Sequence, residues 1–173
     1  MVDSNVENID KNILDKCSNL KILISDVDGV LTDGGMYYSD KGEVMKKFHT
    51  RDGMGVELLL NQNIKTILIS REDSEIVRQR AKKLKITEVF LGIKQKELLL
   101  EKICKKFDVS PNEIAYIGDD INDKNIMKEI GFSAAPQDAV SQIREIVDYV
   151  CKTKGGFGVL REISDIIIYS KNQ

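Results

Sequence analysis

The stretch Ile22-Leu23-Ile24-Ser25-Asp26-Val27-Asp28-Gly29-Val30-Leu31-Thr32 decides how this chain is read. Its front half, apolar or small, reads as a buried parallel strand. The turn that follows places two carboxylates, Asp26 and Asp28, at the carboxyl end of that strand, where open α/β sheets build their sites. A sheet core has no packing use for two neighbouring acids, because buried charges are costly unless paired or metal-bound. A D-x-D turn by itself could equally be a solvated strand end, so its surroundings carry the weight.

Outward from this turn, short apolar runs alternate with amphipathic segments. Ile22–Ile24, Thr66–Ile69, Val89–Leu91 and Ile114–Ile117 read as strands, and Phe132–Ala134 and Tyr149–Val150 as two short edge strands. Leu58–Leu60, Ile76–Leu84, Leu98–Phe107 and Ile126–Ile130 read as helix faces, and Ser110-Pro111-Asn112-Glu113 as a stop before the fourth strand. The alternation predicts an α/β fold, a doubly wound parallel sheet with helices on both faces. One insertion breaks the rhythm. Met36–Tyr38 and Val44–Phe48 flank the turn-rich Ser39-Asp40-Lys41-Gly42, which predicts a β-hairpin after the first strand, too short to be a cap domain. Its apolar residues would stay exposed on a single chain, which points to an interface.

Composition narrows the class. The 173 residues suit one domain with a full core. Residues 1–20 read as a polar lead-in with a short amphipathic helix (Val6, Ile9, Ile13, Leu14), and 21–173 as the domain. A net charge of −2 gives no footing for nucleic acid. No apolar run reaches the roughly 18 residues of a membrane span, and the acidic start lacks the basic and apolar regions of a signal peptide. Cys17, Cys104 and Cys151 are odd in number and far apart, which fits free thiols and a cytoplasmic setting better than disulfides or zinc. His49 is the only histidine, so chemistry falls to carboxylates, hydroxyls and lysines.

Three further strand ends carry such groups. Ile67-Leu68-Ile69 ends on Ser70, whose hydroxyl can donate to a phosphate oxygen. Gly92-Ile93-Lys94-Gln95-Lys96 opens a helix with a lysine able to neutralise a phosphoryl group. Tyr116-Ile117-Gly118-Asp119-Asp120-Ile121-Asn122-Asp123 ends a strand in clustered carboxylates suited to Mg²⁺, although acids at a helix start also serve as caps.

In this order, Asp26/Asp28, Ser70, Lys96 and Asp119 resemble the signature set of the haloacid dehalogenase superfamily of phosphohydrolases, with the Rossmann-like fold that name implies. The resemblance implies Asp26 as nucleophile forming an aspartyl phosphate and Asp28 as general acid and base. Mg²⁺ would be held by Asp26, the backbone carbonyl of Asp28 and Asp119. Ser70 and Lys96 would bind phosphate, and Asp120 and Asp123 would orient the metal site.

The hairpin, Phe48-His49-Thr50-Arg51-Asp52-Gly53-Met54-Gly55 and Gly155-Gly156-Phe157-Gly158-Val159-Leu160-Arg161-Glu162 are similar to a capless subfamily acting on phosphorylated ulosonic acids. That similarity implies a homotetramer in which hairpins associate and subunits complete each other's open sites. It also implies substrate contacts from His49, Thr50, Arg51, Asp52, Gly53, Glu72, Arg80 and Lys83. Within the subfamily, Glu72 and Lys83 look like the branch acting on nine-carbon acids (KDN or sialic acid 9-phosphate). Glu57 and Glu72 stand where enzymes of 3-deoxy-manno-octulosonate 8-phosphate usually carry arginines. The nine-carbon substrate is therefore the expectation and the eight-carbon one the alternative, with Arg80 shared with the eight-carbon branch. A reading of another class is an oligomerisation module partnering a nucleotidyl-sugar synthetase. It has no use for intact Asp28 or Lys96.

Overall fold

The computed structural model describes residues 9–173. Six parallel strands form one sheet: β1 (Ile22–Ser25), β4 (Lys65–Ile69), β5 (Glu88–Phe90), β6 (Ile114–Ile117), β7 (Phe132–Ala135) and β8 (Tyr149–Val150), in the order β5-β4-β1-β6-β7-β8. Two others, β2 (Tyr37–Ser39) and β3 (Gly42–Met45), form the separate antiparallel hairpin. The helices are α1 (Lys11–Ser18), α2 (Thr50–Asn61), α3 (Glu75–Leu84), α4 (Leu100–Phe107), α5 (Lys124–Met127), α6 (Ser141–Arg144) and α7 (Val159–Lys171).

Strand period explains the two layers. Leu23, Leu68, Ala115 and Ile117 point to one face and pack with Val56 and Leu59 of α2, Val77 and Ala81 of α3, and Leu160, Ile163 and Ile167 of α7. Ile22, Ile24, Ile67, Ile69, Ile114 and Tyr116 point to the other and pack with Leu100 and Ile103 of α4, Ile126 and Met127 of α5, and Ile143 of α6. Every residue of β1, β6 and β7 is thus buried on one side or the other, and all of β4 but Lys65, which is why these strands read as continuous apolar runs rather than alternating ones.

The sheet and hairpin stand where the sequence places them, with bounds shifted by one to three residues at several strand ends. The expected Val44–Phe48 strand ends at Met45, because the Lys46 side chain turns inward. The expected Leu98–Phe107 helix begins as a 3₁₀ turn, Lys96–Leu99, and becomes α-helical at Leu100. Ser110 and Glu113 cap each other around the 3₁₀ turn Pro111–Glu113. The lead-in helix is α1; Val6 lies outside the described residues. Unread in the sequence is α7, at 13 residues the longest helix. Its buried Val159, Leu160, Ile163, Ile166 and Ile167 follow helical spacing, so the signal was there.

The loop before α7 packs on the turn after β1, backbone to backbone. Gly156 N–H donates to Val30 O at 2.9 Å. A Cβ on Gly155 would lie 2.0 Å from the Gly29 carbonyl oxygen. Gly155→Ala is therefore expected to force these two loops apart and cost about 1–3 kcal/mol, as overpacking does. Urea denaturation measures it, and unchanged stability would refute this account of the loop.

Candidate active site

Register brings the signature residues together. Ser25 at the end of β1 stands opposite Ile117 of β6 on one side and Leu68 of β4 on the other. Asp26, Asp119 and Ser70 therefore leave the sheet at one edge. The chain order reverses between β1 and β6, the place where doubly wound sheets open a crevice. Asp26 N–H donates to Ile117 O at 2.9 Å, and Asp26 Oδ1 accepts the Val27 N–H at 2.7 Å. Gly29 lets the two loops approach: its φ is +82°, and a Cβ there would lie 2.0 Å from Asp119 Oδ2.

A buried charge network lies beneath the crevice. Lys96 Nζ sits 2.9 Å from Asp26 Oδ2 and 2.7 Å from Asp123 Oδ1, with no side-chain exposure. Asp123 Oδ1 also accepts the Tyr116 hydroxyl at 2.6 Å, and its Oδ2 accepts the Asp119 N–H at 3.1 Å. Burial works against the Lys96 charge, but Asp26 and Asp123 outweigh it and hold its pKa above the ordinary value. Burial and the neighbouring Asp123 push the Asp26 carboxyl up, against the pull of Lys96. Burial, Asp123 and Asp120 push Asp119 up to about 7.

Ligand oxygens of Asp26, Asp119 and Asp123 lie within 4.8 Å of one another. Three carboxylates thus face one ammonium, an excess of negative charge that a hard divalent cation bound by oxygen would relieve. Asp123 is fully buried and held by Lys96, the Tyr116 hydroxyl and the Asp119 N–H, whereas Asp26 and Asp119 stand at the strand ends that line the crevice, which makes those two the side chains placed to hold the ion. The Asp28 carboxylate turns elsewhere. Its Oδ1 accepts from Lys46 Nζ at 2.6 Å, while Oδ2 is buried with no partner. Lys46 belongs to no motif read in the sequence; a lysine next to another lysine, Lys47, gives no sign that one is buried and the other exposed.

Ser70 is buried, and its Oγ accepts the Glu72 N–H at 3.1 Å, which leaves the hydroxyl proton for a ligand. Several expected substrate contacts stand differently. His49 caps α2, its Nδ1 accepting the Arg51 N–H at 3.2 Å, and its carbonyl accepts from Arg80 Nη2 at 3.1 Å. Asp52 is buried under the start of α7, where its Oδ1 accepts the Arg161 N–H at 3.1 Å; burial pushes its carboxyl up to about 6. A Cβ on Gly53 would lie 2.9 Å from Leu84 Cδ2, so Gly53 permits α2 to meet α3. His49, Asp52, Gly53 and Arg80 thus join helices. Thr50, Glu57, Glu72 and Lys83 are exposed. Arg51 lines a cleft of about 350 Å³ with Lys152, Phe157 and Arg161. Asp120 is exposed and caps the turn Ile121–Asp123, its Oδ1 accepting the Ile121 N–H at 2.7 Å.

Acids from β1 and β6, a lysine and a hydroxyl at one crevice of a doubly wound, capless sheet define a class of hydrolases built for an anionic substrate and a divalent cation. The chain belongs to the haloacid dehalogenase-like hydrolases, whose family model matches residues 61–163. It is 40% identical over 158 residues to the 3-deoxy-D-manno-octulosonate 8-phosphate phosphatase of Haemophilus influenzae, covering 91% of this chain and 88% of that one. The crystal structure of the Yersinia pestis phosphatase of the same name superposes with a TM-score of 0.93 at 32% identity, covering 95% of this chain and 89% of that one. The Moraxella catarrhalis phosphatase, solved with a magnesium ion, a phosphate ion and a KDO molecule, gives a TM-score of 0.90 at 33% identity, covering 93% and 92%. These relatives carry the name of the eight-carbon substrate, not of the nine-carbon one that Glu57, Glu72 and Lys83 led us to expect.

Since metal ligands must be deprotonated, protons on Asp119 compete with the cation below its pKa near 7. Mg²⁺ affinity is expected to rise about tenfold per pH unit up to about pH 7 and to level off above it. Titration calorimetry between pH 5.5 and 8.5 measures this, and a flat profile would count against Asp119 as a ligand.

Proposed function

We propose that this protein is a Mg²⁺-dependent phosphatase that releases phosphate from 3-deoxy-D-manno-octulosonate 8-phosphate. The observation that carries the reaction is the convergence of Asp26, Asp119, Lys96 and Ser70 at one sheet edge. The substrate is supported by the relatives' names, by the 33% identity to a phosphatase holding magnesium, phosphate and KDO, and by the absence of a cap. Glu72 and Lys83, the residues that resemble the nine-carbon branch, are exposed.

Asp26 attacks phosphorus through its carboxylate, and the bond from phosphorus to the sugar oxygen breaks as the bond to Asp26 forms. Asp28 gives its proton to the departing sugar oxygen. Water then attacks the aspartyl phosphate, its proton passes to Asp28, and phosphate leaves with Asp26 restored. Lys96 holds Asp26 in place and compensates its charge, and the Ser70 hydroxyl donates to a phosphoryl oxygen. Asp26, Asp119 and the backbone carbonyl of Asp28 would hold Mg²⁺, which would supply positive charge against the repulsion between an anionic nucleophile and an anionic ester. The protein works as a homotetramer: Met36, Tyr37, Tyr38, Val44 and Met45 are 41–65% exposed on a hairpin that two strands alone hold weakly.

Asp26→Asn is expected to remove nearly all turnover with the fold intact, and Asp28→Asn to slow it by about 10²-fold or more. In the unaltered protein, kcat/KM should favour the eight-carbon substrate over a nine-carbon 9-phosphate. The reverse ratio would move the substrate assignment and leave the hydrolase standing. Light scattering should give four chains, and Tyr37→Asp with Val44→Asp should lower both mass and activity; a monomer at micromolar concentration would refute the assembly.

A further inference from the structure

Lys46 immediately follows β3, and its side chain is only 2% exposed. A buried ammonium is costly unless opposite charges compensate it. Two carboxylates do. Lys46 Nζ donates to Asp28 Oδ1 at 2.6 Å and stands 2.8 Å from Glu43 Oε1. Glu43 lies in β3, and its Oε2 accepts the Ser74 hydroxyl at 3.4 Å, which ties it to the start of α3. The other oxygen of Asp28, Oδ2, is buried and has no partner. The terminal torsion of an aspartate is broad and roughly two-fold, so a carboxylate gripped at neither oxygen swings. A grip on Oδ1 fixes where Oδ2 points.

We propose that Lys46 is a positioning residue: braced by Glu43, it holds Asp28 Oδ1 so that Oδ2 carries the proton to and from the reacting oxygen. The proposal rests on Asp28 being the general acid and base. It makes the hairpin root part of the catalytic apparatus, since both Lys46 and its brace come from the hairpin strand and the residue after it. It also separates Lys46 from Lys96. A lysine that holds the nucleophile serves every phosphate ester alike, whereas a lysine acting through the proton donor serves only esters whose leaving group needs a proton. The constant kcat/KM covers the steps up to departure of the leaving group, so it reads proton donation without the later hydrolysis.

The test compares octulosonate 8-phosphate, which expels an alkoxide, with p-nitrophenyl phosphate, which expels a stable phenolate. Lys46→Met should lower kcat/KM about 10²-fold for the first and less than about 5-fold for the second. Glu43→Gln should give a smaller loss with the same leaving-group bias, and it keeps the comparison available if Lys46→Met does not fold. In the Asp28→Asn background, Lys46→Met should cost nothing further, because a residue acting only through Asp28 is not additive with it. Equal losses on both esters, no loss on either, or additivity with Asp28→Asn would overturn the proposal alone. If the unaltered protein releases no phosphate from either ester in Mg²⁺, the phosphatase reading fails and takes this proposal with it.

Discussion

The ammonium of Lys96 is buried between Asp26 and Asp123, and the rest of the site depends on that pairing. It joins three parts of the chain that no local preference connects: the end of β1, the 3₁₀ turn before α4 and the loop after β6. The arrangement is self-consistent only as a whole. Removing one partner from a buried ion pair costs about 3–5 kcal/mol, because a charge is left without compensation. Tyr116 and the Asp119 N–H complete the acceptors of Asp123. The network therefore fixes Asp26 and Asp119, while its surplus of negative charge calls for a cation between them.

Close backbone approach is the second constraint. The turn after β1 is pressed from one side by the Asp119 carboxylate and from the other by the loop 155–158, and glycine stands wherever a Cβ would collide. This explains two motifs at once. The Gly29 position serves the acids, and the Gly155-Gly156 pair serves the joint between α7 and that turn. Glu162 fastens the same region by accepting the Tyr149 hydroxyl and the Lys152 and Thr153 N–H groups. The segment His49–Gly53 belongs to this scaffold too. His49 caps α2, Asp52 ties α2 to the start of α7, and the His49 carbonyl accepts from Arg80 of α3.

The hairpin root reaches Asp28 directly, through Lys46. The hairpin is polar where it meets the body, through Glu43, Lys46 and the exposed ion pair of Lys47 with Asp33, and apolar where it leaves it. Such a division suits an arm that is anchored to one chain and covered by another.

The sequence by itself determined the architecture and the acids. Six short apolar runs separated by amphipathic segments are legible as parallel strands because the central strands of such a sheet are buried on both faces, and carboxylates at strand ends stand out against them. Asp26, Ser70 and Asp119 share one edge because the strands are parallel and in register, which the pattern already implies. Only the tertiary structure decided the rest. Whether Lys46 or Lys47 is buried, whether Asp52 faces a ligand or the start of α7, and which acid neighbours Lys96 depend on contacts between residues 18 to 109 positions apart. Charge and type are written at each position, but burial and partner are properties of the packed whole, and an ionisable side chain takes its role from those.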